Sequence, residues 1–255
     1  MHTSRIATQD DHLHHRDLAD VRLPKRAVPR APGFALPACR APAPRVASRS
    51  MDVVIAGGHG KIALRLSKLL SARGDAVAGL IRNPAQAADL RAAGARPVVC
   101  DLESAPVEEL AEHLAGADAV VFAAGAGPNS GAARKETVDR DGAVLLADAA
   151  RRAGVRRYLL VSSMGLDRIG DPALTPEFDA YLRAKRAAEE AVKDRPLDWT
   201  VLRPAALTDA PTERHAHLAP PPNRFGEVSR DEVAHTLVRL LDDPSTVHQT
   251  LELTT

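Results

Sequence analysis

Long apolar runs are absent from the 255-residue sequence, and its first residues contain no apolar stretch of the kind found in secretory signals. A membrane-spanning helix needs about 20 consecutive, mostly apolar residues, and a secretory signal needs its own apolar segment. We therefore predict no membrane partner and expect a soluble, cytoplasmic protein.

Cysteine is also scarce, since Cys39 and Cys100 are the only two and lie in different regions of the chain. Such a pair does not form the disulfide framework of a small secreted domain. We interpret Cys100 as a small buried residue at the end of a strand. No metal site is predicted, because His215 and His217 are two residues apart and match no recognised ligand spacing.

The body of the chain lacks an excess of basic residues. Residues 1–50 carry nine Lys or Arg against four Asp, whereas residues 51–255 carry 25 basic against 29 acidic residues. Because nucleic-acid binding requires clustered Lys and Arg, we predict no nucleic-acid partner. Residues 1–50 hold six prolines and are predicted to form a disordered extension. Met51 is interpreted as the natural start of the protein.

Short apolar runs alternate with amphipathic segments from Met51 onward. This alternation predicts one domain over residues 51–255, an α/β Rossmann fold with a doubly wound, mostly parallel sheet. The predicted strands are Asp52–Ala56, Ala76–Leu80, Arg96–Cys100, Ala119–Ala123, Tyr158–Val161, Thr200–Leu202 and Thr250–Leu253. The predicted helices are Lys61–Arg73, Pro84–Ala93, Val107–Leu114, Arg134–Ala153, Pro176–Lys193 and Arg230–Leu241. Ligands of such a fold bind at the carboxyl ends of the strands.

A glycine turn connects the first strand to the first helix. Gly57 permits a tight turn, Gly60 lets the helix start approach a phosphate, and Ala63 is small enough to pack on the sheet. Backbone N–H groups and the helix dipole then meet the phosphate charge. We predict that this turn binds a dinucleotide. The candidate phosphate-binding residues are Gly57, His59, Gly60, Lys61 and Ile62.

The end of the second strand indicates which dinucleotide is bound. An Asp or Glu about 20 residues after the glycine turn is typical of NAD binding, but no acidic residue occurs from Ala76 through Ala88. Arg82 offers a guanidinium suited to the 2′-phosphate of NADP. The sequence thus favours NADP (NADPH), with a solvated loop residue as the alternative interpretation of Arg82.

Small or polar residues follow the next two strands at the same edge of the sheet. Asp101 and Leu102 lie where the adenine is expected, and Ala123, Ala124 and Gly125 lie beside the middle of the cofactor. Ordinary turn residues at strand ends are the alternative interpretation.

A possible catalytic set follows the fifth strand. Ser162 and Ser163 end that strand, and Tyr181 and Lys185 share one face of the next helix because they are four residues apart. An ammonium beside a phenol favours proton transfer, and a Ser hydroxyl holds the substrate oxygen. The alternative is that Tyr181 packs at the helix edge and Lys185 is a surface cation.

With these motifs, the chain from Met51 to its end resembles the atypical short-chain dehydrogenase/reductases, which include NmrA-like and biliverdin reductase B-like proteins. The resemblance implies an NADP-binding Rossmann fold with a variable substrate region at 205–226. It lends acid and base roles to Ser163, Tyr181 and Lys185, and implies that Lys185 touches the nicotinamide ribose. It also implies that Arg203 and Pro204 border the nicotinamide pocket. Asp139 stands where extended members of the superfamily carry Asn.

The sequence therefore predicts an NADP-dependent oxidoreductase or epimerase-like enzyme that acts on a small carbonyl or hydroxyl substrate. The alternative is a non-catalytic NADPH-binding sensor. A sensor does not need the set formed by Ser163, Tyr181 and Lys185. The sequence does not distinguish a monomer from a homodimer.

Overall fold

The computed structural model describes residues 50–127, 130–210 and 216–255. The predicted disordered extension lies outside these residues, except for Ser50. Within the described ranges, β-strands alternate with α-helices along most of the chain. No helix in these ranges is long and apolar enough to cross a membrane.

Ten strands form two sheets in the described part of the chain. They are β1 (Asp52–Ala56), β2 (Ala76–Ile81), β3 (Arg96–Val99), β4 (Ala119–Phe122), β5 (Arg157–Val161), β6 (Asp198–Pro204), β7 (Ala206–Thr208), β8 (His217–Ala219), β9 (Glu227–Ser229) and β10 (Gln249–Thr254). The large sheet has the order β3-β2-β1-β4-β5-β6-β10-β8, and β7 pairs with β9 in a small second sheet. All pairs are parallel except β8 with β10. The predicted Rossmann fold is confirmed.

Seven α-helices connect these strands. They are α1 (Lys61–Arg73), α2 (Ala87–Ala92), α3 (Val107–Leu114), α4 (Ala132–Arg134), α5 (Gly142–Ala153), α6 (Pro176–Lys193) and α7 (Arg230–Asp242). A π-helical segment, Lys135–Asp141, joins α4 to α5. The sequence predicted one regular helix over this stretch.

The large sheet is buried on both faces. Val53 and Ile55 of β1 pack with residues of α1 and α7, whereas Val54 and Ala56 pack on the opposite side, with residues of α3, α5 and α6. Alternate residues of a strand point to opposite faces, so a strand covered on both sides is apolar throughout. This explains why β1 reads as an uninterrupted apolar run.

The sheet reverses its direction of winding between β1 and β4. From β1 the order runs outward through β2 to β3, and the chain then returns to β4, which pairs with β1 on its other side. Such a reversal opens a crevice beyond the carboxyl ends of the strands, where ligands bind in open α/β sheets.

Three short strands depart from the sequence prediction. The segment from β7 to β9 contains strands of three residues each, where the sequence predicted no strand. Ala206 pairs with Glu227, and His217 pairs with Thr254. These pairings join residues far apart in the sequence, so no local turn signal announces them.

Candidate cofactor cleft and active site

The glycine turn lies against the next strand of the sheet. Gly57 has a φ of +77°, and a Cβ at this position would lie 2.5 Å from the Cα of Ala124. The N–H of Gly58 donates a hydrogen bond to the carbonyl of Leu80, at 2.9 Å. Both the positive φ and the close backbone approach require glycine at position 57.

Helix α1 begins directly at this turn. Gly60 is its N-cap residue and provides no side-chain cap, and the first turn of α1 contains no acidic residue. The first N–H groups of a helix lack partners within the helix, and the helix dipole is positive there. Ala63 is fully buried. The turn therefore fits the pyrophosphate of a dinucleotide.

A cleft of about 310 Å³ extends from the glycine turn over the ends of β2, β3 and β4. Nine of the predicted cofactor residues line it, namely Gly57, His59, Gly60, Arg82, Asp101, Leu102, Ala123, Ala124 and Gly125. The sequence analysis missed Leu80, Ile81, Gln86, Cys100, Glu103, Ala126, Arg134 and Val138, which also line it. We refer to this space as the cofactor cleft.

Two arginines share one carboxylate at the far end of the cofactor cleft. Arg82 Nη1 lies 3.1 Å from Glu103 Oε2, and Arg134 Nη2 lies 2.6 Å from the same oxygen. The hydrogen bonds from Arg134 and then from Thr137 hold the pKa of Glu103 below its ordinary value. One negative charge thus faces two guanidinium groups, and this end of the cleft has a net positive charge.

A second cleft, of about 520 Å³, continues from the cofactor cleft past Ala123, Ala124 and Gly125. Tyr181 and Lys185 line it, so the structure brings both predicted catalytic residues to the end of the cofactor cleft. The predicted cofactor residues Ile62 and Ser162 lie here too, with Asp139 and Lys135. We refer to this space as the active-site cleft.

Lys185 is a buried cation with a buried partner. Its side chain is 5% exposed, and its Nζ lies 3.1 Å from Asp139 Oδ1 and 3.2 Å from the carbonyl of Val161, to which it donates. Burial alone would lower the pKa of Lys185, but Tyr181 and the Asp139 carboxylate outweigh it and raise that pKa. Lys185 is therefore not the surface cation of the alternative interpretation.

The π-helical segment places Asp139 opposite Lys185. Asp139 is 1% exposed, and its Oδ2 accepts a hydrogen bond from the N–H of Ala126, at 3.1 Å. Gly125 allows this approach, since a Cβ there would lie 3.2 Å from Asp139 Oδ1. Single-turn π-helices often occur at functional sites. The position that departs from the extended enzymes thus supplies the counter-ion of Lys185.

Tyr181 lies between two ammonium groups. The Nζ atoms of Lys135 and Lys185 are each 5.7 Å from the centre of its ring. The ring of Phe178 stacks on Tyr181, with 5.7 Å between centroids. Two cations beside a phenol favour its ionised form, as an acid or base in proton transfer requires.

The two serines at the end of β5 have different partners. Ser162 is buried, and its hydroxyl donates a hydrogen bond to Glu189 Oε1, at 2.6 Å. Ser163 donates to the carbonyl of its neighbour Met164, at 3.0 Å. Both line a smaller space beside Tyr181, together with Pro204. Ser163 is the more available of the two for a substrate.

Three predicted cofactor residues have other protein partners. Lys61 lies 2.6 Å from Asp209 and is 65% exposed, so its side chain does not reach the cofactor cleft. His59 lines the cleft, but its Nε2 lies 2.8 Å from Asp89. The expectation for the Arg203 side chain is corrected most clearly, because its Nε and Nη2 donate to the two oxygens of Glu189.

Glu189 explains the orientation of Arg203. This carboxylate is 2% exposed, and although burial disfavours its charge, the hydrogen bonds from Arg203 hold the pKa of Glu189 below its ordinary value. Leu202 and Pro204 are neighbours of Arg203 in β6 and therefore face the other side of the sheet. Arg203 thus compensates a buried charge beneath the active-site cleft.

Replacing Arg203 with Met is expected to lower the free energy of unfolding by about 3 kcal/mol, because Glu189 stays buried without its main partner. NADPH affinity is expected to remain unchanged. Denaturant unfolding and NADPH titration measure the two quantities. A loss of NADPH affinity without a loss of stability would return Arg203 to the cofactor site.

One cluster of potential metal ligands occurs among the described residues. Ligand atoms of Cys100, Glu109 and His113 lie within 4.8 Å of one another. Burial, followed by the charges of Glu109 and Asp101, raises the pKa of the Cys100 thiol. The thiolate is the form that binds metals, so we assign no ion to this cluster. His215, of the histidine pair noted in the sequence, lies outside the described residues.

A family model described as NAD(P)H-binding matches residues 57–244, from the glycine turn to the residues after α7. The chain belongs to this NAD(P)H-binding family. The family gives the contiguous clefts a common cofactor.

Relatives of known sequence and structure agree with this membership. A Bacillus subtilis protein named as an uncharacterized sugar epimerase, YhfK, is 34% identical over 80% of this chain and 94% of its own. A Bacillus halodurans protein, provisionally named an NAD-dependent epimerase/dehydratase, is 32% identical, with a TM-score of 0.73 over 81% of this chain and 94% of that one. These matches confirm the resemblance to oxidoreductase- and epimerase-like proteins.

A more distant structure supports the fold alone. A short-chain dehydrogenase/reductase from Veillonella parvula, solved in complex with NADP, is 18% identical. Its TM-score is 0.64 over 81% of this chain and 95% of that chain.

Proposed function

We propose that the protein is an NADP-dependent oxidoreductase that acts on a small carbonyl or hydroxyl compound. The observation that carries this proposal is the buried ion pair of Lys185 and Asp139 beside Tyr181, at the end of a cleft that begins at the glycine turn. A buried ion pair is costly to maintain in a fold. Its position beside a phenol supports a role in proton transfer.

The residues of the cofactor cleft fit a dinucleotide with a 2′-phosphate. Gly57 and Gly60 leave room for the pyrophosphate at the start of α1, and the net positive charge at Arg82 and Arg134 suits the phosphate on the ribose. When bound, NADPH supplies the hydride that the carbonyl carbon of the substrate receives.

The residues of the active-site cleft would manage the proton. The hydroxyl of Tyr181 donates its proton to the substrate oxygen, and the ammonium of Lys185 stabilises the phenolate that remains. Asp139 holds Lys185 in place from its buried position. The hydroxyl of Ser163 turns from the carbonyl of Met164 to the substrate oxygen and orients it. Alcohol oxidation uses the same steps in reverse.

The surface around Tyr181 suits an apolar substrate. Phe178, Leu207 and Phe225 are large apolar side chains that remain 38–51% exposed, and all three line the spaces next to Tyr181. Exposed apolar side chains that cluster at a cleft are typical of a ligand site. They support a substrate with an aromatic or aliphatic body.

Hydride transfer tests the proposal directly. NADPH oxidation is measured by its absorbance with aldehydes, quinones, flavins and sugar nucleotides, and we expect turnover with at least one of these classes. Sugar nucleotides are included because of the relative named as a sugar epimerase. Tight NADPH binding without oxidation by any class would contradict the proposal and favour a sensor.

A further inference from the structure

Lys135 is a second buried cation of the active-site cleft, and the proton transfer described above does not use it. It begins the π-helical segment, and its side chain is only 7% exposed. Burying an ammonium without compensation is unfavourable. The structure therefore needs a reason to hold this charge beside Tyr181.

The compensation that Lys135 receives is incomplete among the described residues. Its Nζ donates to the carbonyl of Gly127, and the carboxylate of Glu177 lies 3.9 Å away, beyond hydrogen-bond distance. The Oε1 atom of Glu177 accepts no hydrogen bond from the described residues. An ammonium carries three protons, so acceptor positions at Lys135 stay open.

Lys185 differs from Lys135 in this respect. Its charge has Asp139 at 3.1 Å and the carbonyl of Val161 at 3.2 Å. Both lysines line the active-site cleft. Lys135 is thus the cation of this cleft that is available to a ligand.

We propose that Lys135 binds a carboxylate group of the substrate, which rests on the proposed function of this cleft. The substrate carboxylate accepts a hydrogen bond from the Lys135 ammonium, and the side chain of Glu177, 41% exposed, moves toward solvent. Phe178 and Leu207 contact the apolar body that bears the carboxylate. The substrate class is an apolar carbonyl or hydroxyl compound with a carboxylate.

Benzoate and benzamide form a matched pair of probes for this site, since they differ in charge and little in shape. Binding of each to the full chain saturated with NADP is measured by isothermal titration calorimetry. Saturating NADP keeps the probes away from Arg82 and Arg134. We expect benzoate to bind at least about tenfold more tightly than benzamide, as a charge-assisted hydrogen bond would give.

Variants identify the residue responsible for this preference. Lys135→Met is expected to remove it, Lys135→Arg to retain most of it, and Glu177→Gln to increase it by about threefold, because a competing carboxylate is lost. Lys68→Met is the control, since Lys68 is an exposed lysine of α1. NADP binding by each variant verifies that it folds.

Three results would overturn the proposal: equal binding of both probes to the wild-type protein, a preference for benzoate that survives Lys135→Met, or no benzoate binding by the NADP-loaded protein. Equal losses of both probes in Lys135→Met would assign Lys135 a structural role instead. These outcomes are separate from hydride transfer. A protein that oxidises NADPH without preferring benzoate keeps the proposed function and loses this inference.

Discussion

Replacing Tyr181 with Phe is expected to lower the rate of hydride transfer by about a thousandfold, because the substrate oxygen loses its proton donor. The ring of Phe would retain the stacking on Phe178. NADPH affinity is therefore expected to stay unchanged. Steady-state kinetics with a substrate found in the turnover screen measures the first effect, and NADPH titration measures the second.

The chain offers a matched control, because Tyr158 is its only other tyrosine. Tyr158 is fully buried, and its hydroxyl donates to the carbonyl of Ala143, at 3.0 Å. Tyr158→Phe is expected to lower the free energy of unfolding by about 1 kcal/mol and to leave turnover unchanged. If Tyr181→Phe turns over as fast as the wild-type protein, Tyr181 is not the proton donor.

The regular elements of the fold were predictable because their signals are local. The predicted bounds of the helices Lys61–Arg73, Val107–Leu114 and Pro176–Lys193 agree with those in the structure. Apolar residues at helical spacing and a cap such as Thr175, which accepts from the N–H of Phe178, mark these elements. Buried parallel strands are equally visible, as continuous apolar runs.

The missed elements depend on contacts that local patterns do not encode. Strands of three residues, such as β7, carry too few residues for an alternation. The π-helical segment has the composition of an ordinary helix, so the sequence predicted one helix from Arg134 to Ala153. Only the structure reveals that this irregular turn places Asp139 against Lys185.

The same distinction holds for the candidate site. The glycine turn and the spacing of Tyr181 and Lys185 are local motifs, and the structure brings them to contiguous clefts. The orientation of Arg203 was not predictable, because β6 is buried on both faces and its partner Glu189 lies on another element. Lys135 and Glu103 belong to no motif and reach the clefts only through the tertiary fold.

Replacing Arg82 with Ala is expected to weaken NADPH binding by about ten- to a hundredfold, because a charge-assisted hydrogen bond to the 2′-phosphate is lost. NADH, which lacks this phosphate, is expected to bind nearly as before. Titrations of both cofactors by fluorescence measure the ratio of the two affinities. Arg91→Ala is the control, since Arg91 is an exposed arginine of α2.

Glu103 determines how this result is interpreted. It already occupies the guanidinium groups of Arg82 and Arg134, at 3.1 and 2.6 Å, and a phosphate of about −2 charge must compete with it. The second guanidinium makes that competition favourable, so Arg134→Ala is also expected to weaken NADPH binding selectively. If Arg82→Ala weakens NADPH and NADH equally, Arg82 does not recognise the 2′-phosphate, and the preference for NADP fails while the dinucleotide site at Gly57 and Gly60 stands.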